Sequence, residues 1–332
     1  MRSSLFLALA ASSVALVAQA PAQAKTLADT YAAEDKAINA LLKEYKSKEA
    51  IAKLEALIPA EAPKYAKPTL DELKAAYGAK TQEILASMGN YQGLVGLNML
   101  HANAYFADGQ WEKAKATYEK ALGVAKLNEA EFKVAVQPVR ELWSGLAKAA
   151  EEFKTKNAEQ AKGLEAKAQR VAEEEEWLNW YRKNLQVHEG NIGAAKKIND
   201  FFDQNQTTLG KYVSICAGNL GNVEKTIQTQ ANEIKTFNEE QTKKEQAKKK
   251  TAKPVEGNKA WVEAVLNKAE NVTGINGVKS QVEFLNRLLV LEPESKTAQK
   301  VIENLKAGKE PFAKEPKAAA KPAGKAPKGK KG

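Results

Sequence analysis

The side chains that most often do chemistry are scarce here: two histidines, His101 and His188, and one cysteine, Cys216. Neither histidine has a second histidine or a cysteine three or four residues along, the spacing that sets two metal ligands on one helix face. Both therefore read as packing or surface residues. Cys216 follows Tyr212, Val213 and Ile215, an apolar setting that suits a buried, inert thiol. A single cysteine forms no internal disulfide, and no Cys-x-x-Cys-His run is present to attach haem. The Gly-x-Ser-x-Gly elbow, the P-loop and the dinucleotide fingerprint are absent as well. Carboxylates are so plentiful that any acid/base pair chosen among them would be arbitrary. The expectation is a protein that is no enzyme and carries neither cofactor nor metal.

Residue types suited to binding stand out more. Glu173 to Glu176 lead directly into Trp177, Leu178, Trp180 and Tyr181. On a helix, Trp177 and Tyr181 share a face and Trp180 lies at its edge. Two readings are open. One is a solvated acidic face beside an aromatic core stripe. The other is a partner site, because aromatic rings carry large contact area and dominate binding hot spots.

The elements that hold these residues are helices. Alanine, lysine, glutamate, leucine and glutamine dominate, all strong helix formers, while β-branched runs and alternating patterns are short. The fold class expected is all-α. A first helical pair spans about Leu27 to Leu57, with Ala50, Leu54 and Leu57 on one face. Pro59, Pro63 and Pro68 bracket a connector. Thr69 and Glu72 fit a capping box, opening a helix that Gly89-Asn90 is expected to end near Met88. The next helix runs from about Tyr91 to Ala107, and Asp108-Gly109 turns the chain into another over about Gln110 to Ala125.

Across that turn the sequence resembles a tetratricopeptide repeat over Val95 to Asn128. The resemblance rests on Ala102-x-x-Tyr105, Asp108-Gly109-Gln110-Trp111 and Ala114-x-x-x-Tyr118-x-x-Ala121-Leu122. The small residues let two antiparallel helices approach, and Tyr105, Trp111, Tyr118 and Leu122 fill the space left. Asn98, His101 and Lys126 depart from the family's preferred Trp, Leu and Pro. A weaker likeness covers about 258–306, through Leu285-x-x-Leu288-Leu289 and Pro293, with Trp261, Val265 and Leu266 supplying a preceding helix. The resemblance implies a concave surface lined by the first helix of each repeat. Carried onto this chain, Met99, Asn103 and Phe106 would face a peptide ligand there. The alternative is that Met99 and Phe106 are covered by the neighbouring helix.

Between these segments, from about Asn128 to His188, helix formers run almost unbroken. Leu164, Ala168, Val171, Leu178 and Leu185 follow helical spacing. Gly190-Asn191-Ile192-Gly193 is expected to be a strong turn, after which Ile198, Phe202, Leu209, Tyr212, Cys216, Leu220, Val223, Ile227 and Ile234 continue a helical stripe. A long helical hairpin over 129–237, packed like a coiled coil, is the simplest arrangement. Gly210, Gly218 and Gly221 weaken its second arm.

The formal charge of +10 is unevenly spread. Gln241 to Lys253 holds six lysines and one acid, and Lys306 to the end holds nine lysines and two acids. Setting both runs and Arg2 aside leaves the remainder three charges negative, so the body is no basic nucleic-acid face. Residues 238–257 read as a linker and 307–332 as a disordered tail. Lys321, Lys325, Lys328, Lys330 and Lys331 of that tail could touch an anionic surface through charge alone.

Arg2, the apolar run Leu5 to Val17 and Ala22-Gln23-Ala24 read as a secretory signal peptide over 1–24, cleaved after Ala24. No later stretch is apolar enough to span a bilayer. The organisation expected is thus an N-terminal repeat-like region at 25–128, the hairpin at 129–237, the linker and C-terminal repeat-like helices at 258–306. The function expected is a periplasmic or secreted scaffold that binds protein partners in a cell-envelope assembly. The alternative is a structural envelope protein that self-associates through its hairpin and attaches to anionic polymer or membrane through its tail.

Overall fold

The computed structural model describes residues 25–313. The expected leader and the five tail lysines Lys321, Lys325, Lys328, Lys330 and Lys331 lie outside the described residues. Of those described, 81% are helical and none is in a strand, so the fold is all-α. No helix among them is long and apolar enough to cross a membrane.

The helices follow in chain order. They are α1 (Leu27–Lys43), α2 (Ser47–Leu57), α3 (Leu70–Ala107), α4 (Trp111–Glu165), α5 (Ala172–Lys248), α6 (Lys259–Leu266), α7 (Glu270–Thr273), α8 (Val278–Leu291) and α9 (Lys296–Lys306). The chain divides into two compact units. Unit 1 takes the described residues up to Tyr105 together with Trp111–Gln228, and unit 2 takes Phe106–Gln110 and those from Thr229 onward.

Unit 1 is built on three long helical stretches. The Thr69 amide donates to Glu72 Oε2 at 2.8 Å, and the expected capping box starts α3. The expected end at Gly89-Asn90 does not occur, because α3 continues to Ala107. Tertiary contact outweighs local propensity here. Asn90 Oδ1 accepts from the Leu27 amide at 2.9 Å, so the asparagine serves α1 instead of ending its own helix. α1 then crosses α3 at two glycines. A Cβ on Gly93 would overlap the Leu27 backbone, and one on Gly96 would come within 2.7 Å of the Tyr31 ring.

Gly190-Asn191-Ile192-Gly193 is no turn, and Gly210, Gly218 and Gly221 break nothing: α5 runs through all of them. An interior glycine costs a helix about 1 kcal/mol relative to alanine. The buried seam opposes that cost, since Ala195, Phe202, Leu209, Cys216 and Val223 recur every seven residues. The chain instead reverses at 166–171, a segment with neither glycine nor proline, and α4 and α5 form a long hairpin-like pair. Arg170 closes this turn by donating from Nη1 to the Leu164 carbonyl at 3.1 Å, satisfying one of the orphan acceptors at the end of α4. Pro138 is carried inside α4.

Two core clusters hold the pair against α3. Leu73 and Ile84 of α3 join Phe132, Val136, Val139 and Trp143 of α4 and Ala195, Phe202 and Leu209 of α5. Val95 joins Ala121, Ala125 and Cys216. On the side chains of the two arms, Arg140 Nη2 donates to Asp203 Oδ1 at 2.8 Å and Lys115 reaches Glu224 at 3.2 Å.

Unit 2 contains the Asp108-Gly109 turn and the helices α6 to α9. Gly109 has φ +79°, the left-handed conformation glycine permits. Arg287 of α8, 4% exposed, donates to Gln230 Oε1 at 2.7 Å and to the Gly109 carbonyl at 3.2 Å. α9 ends in a short turn that carries the ordered chain past Lys306, where Asn304 Nδ2 donates to the Pro311 carbonyl at 2.9 Å.

Candidate partner-binding surfaces

The hairpin end is a well-tied structure. Glu173, Glu174 and Glu175 occupy the first turn of α5, where carboxylates complement the exposed amides and the helix dipole. Glu174 takes a hydrogen bond from Lys167 and one from the Val171 amide, and these hold its carboxyl below the usual range. Arg170 pairs with Glu175. Arg182 Nη2 donates to Glu165 Oε1 at 2.7 Å, bridging the arms.

On this base stand the aromatic residues. Trp177 is 49% and Trp180 50% exposed, while Leu178 between them is buried. The Trp180 and Tyr181 rings meet edge to face with centroids 5.1 Å apart, and Trp177 and Trp180 do the same at 5.9 Å. The three rings pack on one another. Their outer faces stay open to solvent, held by a helix rather than a loop.

The packing against α3 reaches Trp143, Leu146 and Ala147 on α4 and Ala194 and Ala195 on α5. Toward the turn from there, α5 buries only Leu178 between Ala172 and Gly193, and α4 buries only Ala150, Asn157 and Ala161 between Lys148 and Glu165. Phe153, itself exposed, stacks on His188 at 5.7 Å, and Val187 beside it is exposed as well. The distal hairpin is a two-helix projection with a bare apolar face.

Trp180, Val187, Phe201 and Ile215, all exposed, are separated by multiples of seven residues and so share one side of α5. The seven-residue spacing from Trp180 was the signal that could have singled out Val187, Phe201 and Ile215.

The three residues pointed to by the repeat resemblance are not gathered in one unit. Met99 packs on the cluster around Ala121, Ala125 and Cys216, with its sulfur 3.6 Å from Cys216 Sγ. Burial pushes that thiol up to about 11, away from reactivity. Asn103 accepts a hydrogen bond from the Tyr118 hydroxyl. Phe106 is half-buried and belongs to unit 2.

Other titratable groups have structural surroundings. Burial lowers His101, against the opposing pull of Glu55, and burial alone lowers His188. Glu55 Oε1 also accepts from the Tyr105 hydroxyl at 2.9 Å. Among the described residues, no three His, Cys, Asp or Glu side chains gather in an arrangement that would hold a metal. In unit 2 an open groove of about 720 Å³ is lined by Phe237, Trp261 and Val265 with Glu240, Lys244 and Lys268 at its sides. Its mixed charges point to no single ligand.

The chain matches no known protein family, no curated protein and no solved structure.

Proposed function

We propose that the protein is an exported helical scaffold that works by binding protein partners in a cell-envelope assembly, and that the distal hairpin is its partner surface. The observation that carries this reading is the pair Trp177 and Trp180, each half exposed on a rigid helix. Large aromatics are costly to leave in water and are enriched at the centres of binding interfaces. Soluble chains seldom expose contiguous apolar surface without use for it. The basic n-region, apolar run and small-x-small site at the N-terminus support export. The repeat-like pattern of Val95 to Asn128 supports a scaffold role in kind. The lysine-rich C-terminus adds a second attachment, to anionic envelope surface, that is salt-sensitive and unspecific.

Affinity capture from envelope extract, comparing the native chain with Trp180→Ala, tests this. The native chain should retain a specific protein that the variant loses, with the two melting alike. A variant that captures the same proteins at the same yield would remove the tip from consideration.

A further inference from the structure

We infer that Asn276 is a site of spontaneous covalent modification, where the asparagine is converted with water to aspartate and isoaspartate, and that the isoaspartyl form loosens the entry of α8. The modified segment and the helix it loosens both belong to unit 2.

Asparagine is a chemically labile side chain. It is most so when the next residue has no Cβ to hinder attack by its main-chain nitrogen. Asn276-Gly277 is the one Asn-Gly pair in the sequence. It lies between α7 and α8, and both residues are exposed. Gly277 has φ +85°, the left-handed conformation that glycine permits, and a Cβ built on it would meet nothing within 4 Å. Among the described residues, none accepts from the Gly277 amide and none holds the Asn276 side chain. The attacking nitrogen and the carbon it attacks are both free to approach.

Comparable groups elsewhere are restrained. Asn184 and Asn205 of α5 donate from Nδ2 to the Trp180 and Phe201 carbonyls, each at 2.8 Å. Helical geometry also keeps the amide that follows each of them in its own bond to the preceding turn. Asp108-Gly109 could close the same ring, but its glycine is buried and the Gly109 amide donates to the Phe106 carbonyl at 3.0 Å.

In the reaction the Gly277 nitrogen bonds to Asn276 Cγ, the Cγ–Nδ2 bond breaks, and the amide proton leaves with Nδ2 as ammonia. Water then opens the five-membered succinimide. Opening at Cγ restores the normal backbone and leaves aspartate. Opening at the main-chain carbonyl leaves Gly277 joined through Cγ, so the backbone gains one atom and the old carbonyl becomes a side-chain carboxylate. Gln281 makes that extra atom matter. Its amide donates to the Gly277 carbonyl at 3.2 Å and its Nε2 to the Ile275 carbonyl at 2.9 Å. These two bonds bracket Asn276 and fix the spacing across it, so a longer backbone cannot keep both. The same helix carries Asn286 and Arg287, which bind the Ala107 and Gly109 carbonyls.

Incubation of the full chain at mildly alkaline pH, followed by peptide mass spectrometry, tests the site. Conversion of amide to acid at Asn276 should run several-fold faster than at Asn184 or Asn205. The products should separate into a minor form that an aspartate-specific protease cuts and a major form that it does not. Conversion at Asn276 no faster than at the helical asparagines would overturn the site. Hydrogen exchange tests the consequence, because local opening is what it reads. In the aged native chain, exchange over Val278–Leu291 should accelerate several-fold, while Asn276→Ser aged alongside should match its fresh sample. Asn276→Asp supplies the charge without the extra backbone atom and should keep the protection of the fresh native chain. Unchanged protection in the converted chain would overturn the loosening, and equal loss in Asn276→Asp would overturn its assignment to the isoaspartyl link.

Discussion

Replacing Gly109 by valine should destabilise unit 2 by about 2–5 kcal/mol, from a left-handed backbone penalty of ~1–2 and an overpacking penalty of ~1–3. The two penalties have separate causes. The φ of +79° is one that a β-branched residue adopts only under strain. A Cβ at this position would also come within 2.5 Å of the backbone at Asn286 and Arg287, where neither atom belongs to a flexible side chain. α8 would have to move away, and the bonds from Asn286 Nδ2 to the Ala107 carbonyl and from Arg287 to the Gly109 carbonyl would go with it. Arg287, buried, would then lose an acceptor. Hydrogen exchange over Val278–Leu291 should accelerate in the variant. Gly123→Ala is the control: it is exposed, helical and has nothing within 4 Å of a Cβ, so it should be neutral or stabilise by up to ~1 kcal/mol. Unchanged protection of α8 in Gly109→Val would mean that the turn is not seated as described.

Phe202→Ala should cost about 3–5 kcal/mol, the range for removing a fully buried aromatic side chain. Phe202 is among the largest fully buried side chains, its ring 6.1 Å from that of Phe132 and beneath the Arg140 guanidinium at 5.8 Å. The site lies where α3, α4 and α5 meet, so the cavity has walls on several sides and little freedom to collapse. Phe201→Ala, one residue earlier and 44% exposed, should cost about 1 kcal/mol, because what it gives up is chiefly the edge-to-face contact with the Phe202 ring at 5.5 Å. Urea titrations of both variants give the comparison. Equal losses would contradict the assigned register of α5.

That pair of neighbours also shows how much was legible in the sequence. The all-α class followed from composition, and the connector prolines and the Thr69 box placed the start of α3 as observed. The seven-residue recurrence of Phe202, Leu209, Cys216 and Val223 was readable as a buried stripe. Local signals failed where tertiary packing opposed them. Asn90 looked like a helix end, yet it is the acceptor for the first amide of α1. Gly190 and Gly193 looked like a turn, yet α5 runs through them into the buried seam that starts at Ala195. The true reversal at 166–171 gave no propensity signal, because it is held by Arg170, Lys167 and Glu174 rather than by glycine or proline. For the surface, the aromatic cluster was visible as composition. Its exposure was not, since that depends on which sides of α5 the other helices cover.

The bare face exists only if α5 is one helix through 190–193 and the chain turns at 166–171. Nitroxide labels on Asn179→Cys and Gln204→Cys, both exposed and placed evenly about that stretch, measure this by pulsed dipolar spectroscopy. At 1.5 Å per residue, a continuous helix sets the backbones at these positions about 38 Å apart. A single narrow distribution near that distance is the predicted result. A distribution centred near the ~10 Å separation of packed helices would place the turn at Gly190–Gly193 and contradict the projecting hairpin on which the proposed partner surface stands.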